Sequence, residues 1–160
     1  MPIEHATGDL LDQDVDVIVN AWNRNLIPWW LLLPQGISGA IKKRGGTQPF
    51  KELRKFGMLP LGGAAVTGAG RLQFKAIIHV AGIGHTWRSS EESVRKSTRS
   101  AIAEAKELRC VSIGFPLIGA GTGGGSPERV EEIISEEIQK SGYDGKAVIV
   151  RYKPTRENTY

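Results

Sequence analysis

Five glycines fall within the seven residues Gly119-Ala120-Gly121-Thr122-Gly123-Gly124-Gly125. Backbone without Cβ atoms can approach a ligand closely and turn its N–H groups toward it. Ser126 and Pro127 follow, suited to the N-cap and the first position of a helix. The positive end of that helix dipole then faces the same loop. A flexible turn is the plainer reading of the glycines, but a buried strand before them and a capped helix after them favour a pyrophosphate cradle. Other reactive side chains are few. His79 lies mid-strand between Ile78 and Val80 and reads as a satisfied interior histidine, not a general base. Cys110 is the single cysteine, so no internal disulfide can form; it reads as a small buried hydrophobe. His5 and His85 show no metal-ligand spacing, so no metal and no cofactor is expected.

The elements that must position the loop follow from periodicity. Cys110–Phe115 is short, apolar and β-branched, as a covered parallel strand should be. After Pro127, Val130, Ile133, Ile134 and Ile138 recur on one helical face, and that helix ends at Gly142. Pro2–Ala6 suits an edge strand, Asp14–Asn20 a strand, and Lys146–Tyr152 the last strand. Gly62–Gly70 and Lys75–Val80 read as neighbouring strands. Ile37–Gly45 reads as a short helix with Ser38 as its N-cap and cations in its last turn, and Thr47–Phe56 as a second. Ser89 with Glu92 forms a capping box for a longer helix, whose buried stripe is Val94, Thr98, Ala101, Ile102, Ala105 and Leu108. Arg88, Arg95, Lys96 and Arg99 read as that helix's solvated face rather than a nucleic-acid surface. Between Ala21 and Gly36 lies an apolar stretch with two prolines and three of the four tryptophans, Trp22, Trp29 and Trp30. It is either a lid, an interaction patch, or a loop folded onto its own core.

The whole is one domain over residues 1–153 with a polar tail at 154–160. Hydrophobic residues make up 40% and charged residues 24%, the balance of a globular protein. A net charge of +4 permits anionic ligands without demanding nucleic acid. The longest apolar run, Leu26–Pro34, is too short to span a bilayer. With no signal peptide visible, a cytoplasmic address, no membrane partner and a monomer are expected.

Strands alternating with helices predict a three-layer α/β/α sandwich on a mixed, mostly parallel sheet. Such sheets bind ligands at the carboxyl ends of their strands. That gathers Asn20–Asn23, Ala81–His85, Leu117–Gly125 and Tyr152 at one rim. Gly119, Gly121 and Gly124 match G-x-G-x-x-G, but the next strand ends in Arg151-Tyr152-Lys153, without the acidic residue a dinucleotide dehydrogenase uses on ribose. No G-K-[ST] follows any loop, which argues against a P-loop hydrolase.

The chain resembles the macrodomains, modules that bind ADP-ribose. The resemblance is carried by Gly8-Asp9-Leu10, Asp16–Asn23, Gly36–Ile41, Ala64–Gly68, Ile77–His79, Phe115–Gly121 and Val148–Tyr152, in order over residues 3–153. It implies an adenine site at Asp9, Leu10 and Tyr152. It also implies a diphosphate and ribose site at Gly36, Ile37, Ser38, Gly119, Ala120, Gly121, Thr122, Gly123 and Gly124. Asp9 would accept from the adenine amino group, Tyr152 would stack on the ring, and Asn23 would hold the distal ribose.

The chain departs from the hydrolytic MacroD-type pattern. Where those proteins resemble G-G-G-V-D-G-A-I, this one reads Pro34-Gln35-Gly36-Ile37-Ser38-Gly39-Ala40-Ile41. Ser38 replaces the aspartate that helps orient water, a Trp/Leu-rich insertion replaces the flexible glycines, and Gly123 replaces a loop aromatic. The expected activity is hydrolysis of mono-ADP-ribose from acidic side chains of modified proteins. Asn23 and Ser38 would be the catalytic residues, and the ligand's own diphosphate would assist the water. The alternatives are a non-catalytic ADP-ribose reader, or a hydrolase acting on ADP-ribosylated DNA bases with Trp29 and Trp30 stacking on a base.

Overall fold

The described residues form six strands: β1 (Ile3–Gly8), β2 (Val17–Asn23), β3 (Ala64–Thr67), β4 (Ala76–Ile83), β5 (Ser112–Phe115) and β6 (Lys146–Tyr152). The helices are α1 (Gly36–Gly45), α2 (Gln48–Arg54), α3 (Glu91–Glu107) and α4 (Pro127–Ser141), with a 3-10 turn at Leu10–Asp12. The structure, a computed structural model, describes residues 3–23, 36–57, 59–83, 91–118 and 126–153, and leaves aside the side chains of residues 22, 23, 36 and 83. The Trp/Leu-rich stretch from residue 24 to 35, the capping Ser89, Arg88, and the loop residues 119–125 lie outside the described residues.

One sheet runs in the order β1-β6-β5-β2-β4-β3. Five strands are parallel and β3 alone is antiparallel, along β4. Alternation along the strands sorts the core into two layers. Val17, Val19, Ile78, Val80, Ile113, Phe115, Ala147 and Ile149 face α3 and α4. Ile18, Ile77, Ala65, Val148 and Val150 face α1, α2 and the 3-10 turn. The expected α/β/α sandwich is thereby realised. Each buried isoleucine or valine contributes about 1.5–3 kcal/mol relative to exposure, and this fixes the strand register, since a one-residue slip would reverse every side chain.

Several boundaries differ from expectation for local reasons. β2 occupies Val17–Asn23 instead of 14–20, because Asp16 is used to start it: its Oδ2 accepts from Val111 N–H at 2.9 Å and its own N–H donates to Ser112 Oγ at 2.7 Å. β3 is shorter than Gly62–Gly70 because both those glycines have positive φ, +82° and +60°, which a strand cannot use. Leu108 does not join the α3 stripe; it lies one residue past the helix and is 42% exposed. Ser126 stands at the α4 N-cap as expected, but its hydroxyl donates to Glu128 Oε2 at 3.1 Å rather than accepting from the backbone.

Two polar clusters tie helices to the sheet. Arg95 of α3 reaches Glu136 and Glu137 of α4 at 2.8 and 3.1 Å, and Arg99 adds a contact to Glu137 at 3.6 Å. On the far edge, Glu131 of α4 takes His5 of β1 at 2.6 Å and Arg151 of β6 at 3.0 Å. Hydrogen bonds from Arg151 and His5 hold the Glu131 carboxyl below the usual carboxylate range.

Candidate functional site

All five parallel strands end on one rim, at Gly8, Asn23, Ile83, Phe115 and Tyr152. At its β1–β6 end, Gly8 and Tyr152 are register partners, and Tyr152 keeps 38% of its surface exposed. Asp9 follows immediately and is buried. It caps the 3-10 turn, with Oδ1 accepting from Leu11 N–H at 2.9 Å, while Arg44 Nη1 donates to Oδ2 at 3.3 Å. Arg44 also reaches Asp12 Oδ1 at 3.1 Å. Leu10 is buried in the core beside Gly114.

Two strands away, β2 meets α1. Ser38 is not an N-cap: α1 begins at Gly36, so Ser38 sits inside its first turn. The reason is a competing buried acceptor, since Ser38 Oγ donates to Asn20 Oδ1 at 2.9 Å. Asn20 Nδ2 meets His79 Nδ1 at 3.0 Å, and His79 Nε2 meets Thr67 Oγ1 at 2.8 Å. Thr67 Oγ1 in turn donates to the Gly68 carbonyl at 2.9 Å. Asn20, Thr67 and His79 are buried on the α1/α2 face, with the Phe50 ring edge-on to the imidazole at 6.2 Å. Full burial holds His79 neutral, its pKa lowered to about 3. His79 is thus an interior, hydrogen-bonded histidine, as its mid-strand position implies. Sequence reasoning placed Asn20 at the rim, where the structure buries its side chain fully, counted Arg44 only among the last-turn cations of α1, and gave Thr67 no role of its own. The signal available was polar residues at inward-facing positions of otherwise apolar strands.

Ile37 is half-buried against the α1/α2 core. Asn23 closes β2, in register with Ile83 past a local irregularity at Ala21/Asn23. Gly119, Ala120, Gly121, Thr122, Gly123 and Gly124 lie outside the described residues, but the elements on both sides are placed: Ile118 is fully buried and α4 starts at Pro127. Gly82 of β4 lets Ile118 pack closely against that strand, since a Cβ there would stand 2.5 Å from Ile118 Cγ2. Cys110 lies before the amino end of β5, on the opposite rim, and burial pushes its thiol up. It is no nucleophile for this site. Among the described residues no group of three His, Cys, Asp or Glu side chains could hold a metal, and no helix is long and apolar enough to cross a membrane.

A family model described as the Macro domain matches residues 19–134. This chain belongs to the Macro domain family. A macro domain-containing protein of Caldanaerobacter subterraneus subsp. tengcongensis is 37% identical over 79% of this chain and 73% of its own length. Among solved macrodomains, that of Mycobacterium tuberculosis DarG superposes with a TM-score of 0.78 at 27% identity, covering 96% of this chain and 98% of that one. A glycine-to-valine variant of the Oceanobacillus iheyensis macrodomain, solved with ADPR (ADP-ribose), gives a TM-score of 0.80 at 26% identity, covering 97% and 87%. Along the macrodomain rim, β1 and β6 lie at one end, β5 follows, then β2 with α1 packed against it, and β4 lies beyond.

Proposed function

We propose that this macrodomain binds ADP-ribose along the rim and hydrolyses mono-ADP-ribose from acidic side chains of modified proteins. Strand order carries the proposal. Asp9 and Tyr152 flank β1 and β6, the glycine loop follows β5, and Asn23 ends β2. Adenine, diphosphate and distal ribose follow one another in the same sequence along the ligand. β6 and β2 are two strand spacings apart, about 10 Å, a span suited to a diphosphate crossing over β5. The relative solved with ADPR supports the choice of ligand.

In this reading Tyr152 stacks on adenine and Asp9 accepts from the exocyclic amine. Leu10, whose side chain is in the core, meets the ligand through its backbone. The 119–124 loop and the Gly36–Ser38 turn surround the diphosphate with N–H groups, strengthened by the α1 and α4 dipoles. Asn23 holds the distal ribose. A water oxygen then bonds to the anomeric carbon while the ester C–O bond breaks, its electron pair leaving with the carboxylate. The water's proton passes to a diphosphate oxygen of the ligand and on to solvent. Ser38 holds that water; a hydroxyl is too weak a base at neutral pH to take its proton. Catalysis by placement and electrostatics suffices.

The test is calorimetric titration with ADP-ribose followed by turnover of a glutamate-modified protein. Release of free ADP-ribose, lost in Asn23→Ala with binding retained, supports the proposal. Binding without release from protein or DNA leaves a reader, and release from modified DNA alone makes the substrate a nucleic acid. The cations of α3 give little support to that last outcome, since Arg95 and Arg99 are engaged by α4 carboxylates and Lys96 by Glu92.

A further inference from the structure

The buried chain Ser38–Asn20–His79–Thr67–Gly68 has a direction, and the direction follows from its last member. A carbonyl oxygen can only accept, so the single Thr67 hydroxyl proton points to the Gly68 carbonyl, 2.9 Å away. Thr67 Oγ1 must then accept from His79 Nε2–H at 2.8 Å, which places the one proton of the neutral imidazole on Nε2 and leaves Nδ1 bare. A bare Nδ1 requires a donor, so the Asn20 amide presents Nδ2–H to it at 3.0 Å and its Oδ1 to Ser38. The Ser38 proton is therefore committed to Asn20, at 2.9 Å. Any other arrangement sets two acceptors or two donors face to face inside a core where unmet polar groups are costly.

We propose that Asn20, His79 and Thr67 are positioning residues that turn the Ser38 hydroxyl into an obligate acceptor toward the rim, so that it takes a hydrogen bond from the attacking water and orients a water lone pair toward the anomeric carbon. The inference rests on the hydrolase reading above. It accounts for how a serine can serve where a carboxylate would otherwise stand: a serine free to rotate would offer its proton to the water oxygen and blunt its lone pair. Here the rotation is locked from behind. Ser38 itself is only partly buried in the first turn of α1, and the three residues behind it are buried, so among the described residues their hydrogen-bonded route to the rim is Ser38. Reversing the chain, which requires a half-turn of the Asn20 amide that exchanges Oδ1 and Nδ2, converts Ser38 from acceptor to donor.

The decisive variant is Thr67→Val, which keeps the shape but removes the acceptor for Nε2–H; Thr67→Ser restores it. Two readouts are needed on folded protein. The 15N resonances of His79 should show a protonated Nε2 and an unprotonated Nδ1 in the parent and in Thr67→Ser, and a changed pattern in Thr67→Val. Turnover of glutamate-modified protein should fall about tenfold in kcat for Thr67→Val, with KM and the ADP-ribose Kd unchanged. A proton on Nδ1 in the parent, or an unaltered kcat in Thr67→Val, overturns the proposal. Loss of affinity in place of kcat would also overturn it, by making the chain a structural support for binding. A parent that binds ADP-ribose but releases none refutes the hydrolase reading and this role together, a result separable from the others because the tautomer is read independently.

Discussion

Gly8 and Tyr152 stand opposite each other where β1 and β6 end, and Lys153 N–H closes the pair by donating to the Gly8 carbonyl at 3.0 Å. The tyrosine is thereby held at the rim on paired backbone, beside Asp9, with part of its ring exposed. Base–aromatic stacking is worth about 1–3 kcal/mol, so Tyr152→Ala should weaken ADP-ribose binding by about tenfold or more. Tyr152→Phe should bind like the parent, since stacking needs the ring and not the hydroxyl. Calorimetry decides; an unchanged Kd in the alanine variant would place adenine elsewhere.

Asp9 has a structural duty beside its proposed ligand role. It caps the 3-10 turn and receives Arg44. Asp9→Ala should lower stability by about 1 kcal/mol, the usual loss for a removed cap, so diminished binding in that variant would mix two effects. Asp9→Asn keeps a carbonyl oxygen for Leu11 N–H and separates them. It should unfold in urea nearer the parent while still binding ADP-ribose more weakly.

His79 gives the protein a distinct response to acid. The unfolded imidazole takes a proton near 6.5, whereas burial lowers the folded value to about 3. Below pH 6.5 the unfolded chain therefore binds a proton that the native state refuses, and stability falls as pH drops toward 3; above 6.5 the term vanishes. The loss approaches about 1.4 kcal/mol per pH unit. Glu131 and Glu136, held below the usual carboxylate range by neighbouring arginines, add their losses once pH falls to that range, below the interval from 7 to 5. Urea midpoints measured from pH 7 to 5 should decline in the parent and stay level in His79→Gln. Parallel curves would show that the imidazole is accessible to protons.

Gly82→Ala should destabilise the fold by about 1–3 kcal/mol, the usual cost of overpacking, because the new methyl meets Ile118 Cγ2. Trimming the neighbour, as in Gly82→Ala/Ile118→Val, should recover part of the loss. A double-mutant cycle measures the coupling. The single variant should also weaken ADP-ribose binding, since Ile118 immediately precedes the 119–124 loop.

The sheet was legible because its inner strands are apolar on both faces and its helices on one. Lys146–Tyr152 is read correctly to the residue, and the α4 face Val130, Ile133, Ile134 and Ile138 is buried in full. Boundaries went astray where a side chain overrides periodicity: Asp16 starting β2 late, the positive-φ Gly62 and Gly70 trimming β3, Leu108 falling past the end of α3. At the candidate site, the resemblance to macrodomains implied Asp9, Ser38 and Tyr152, but nothing in the sequence implied what holds them. Arg44 lies 35 positions from Asp9, and Thr67 and His79 lie 12 apart on antiparallel neighbours. No local pattern encodes those partners; only pairing of the strands brings them together.

α1 is anchored near both ends, by Ser38 to Asn20 in the middle of β2 and by Arg44 to Asp9 beside β1. At 1.5 Å per residue the six-residue interval between those anchors is roughly 9 Å, and a hydrogen-bonded helix neither stretches nor shortens appreciably. The helix is a strut. Its length sets the gauge between the Asp9 and Ser38 ends of the rim, so that, under the proposed function, the spacing of the two ends of the ligand site is written into the number of residues between Ser38 and Arg44.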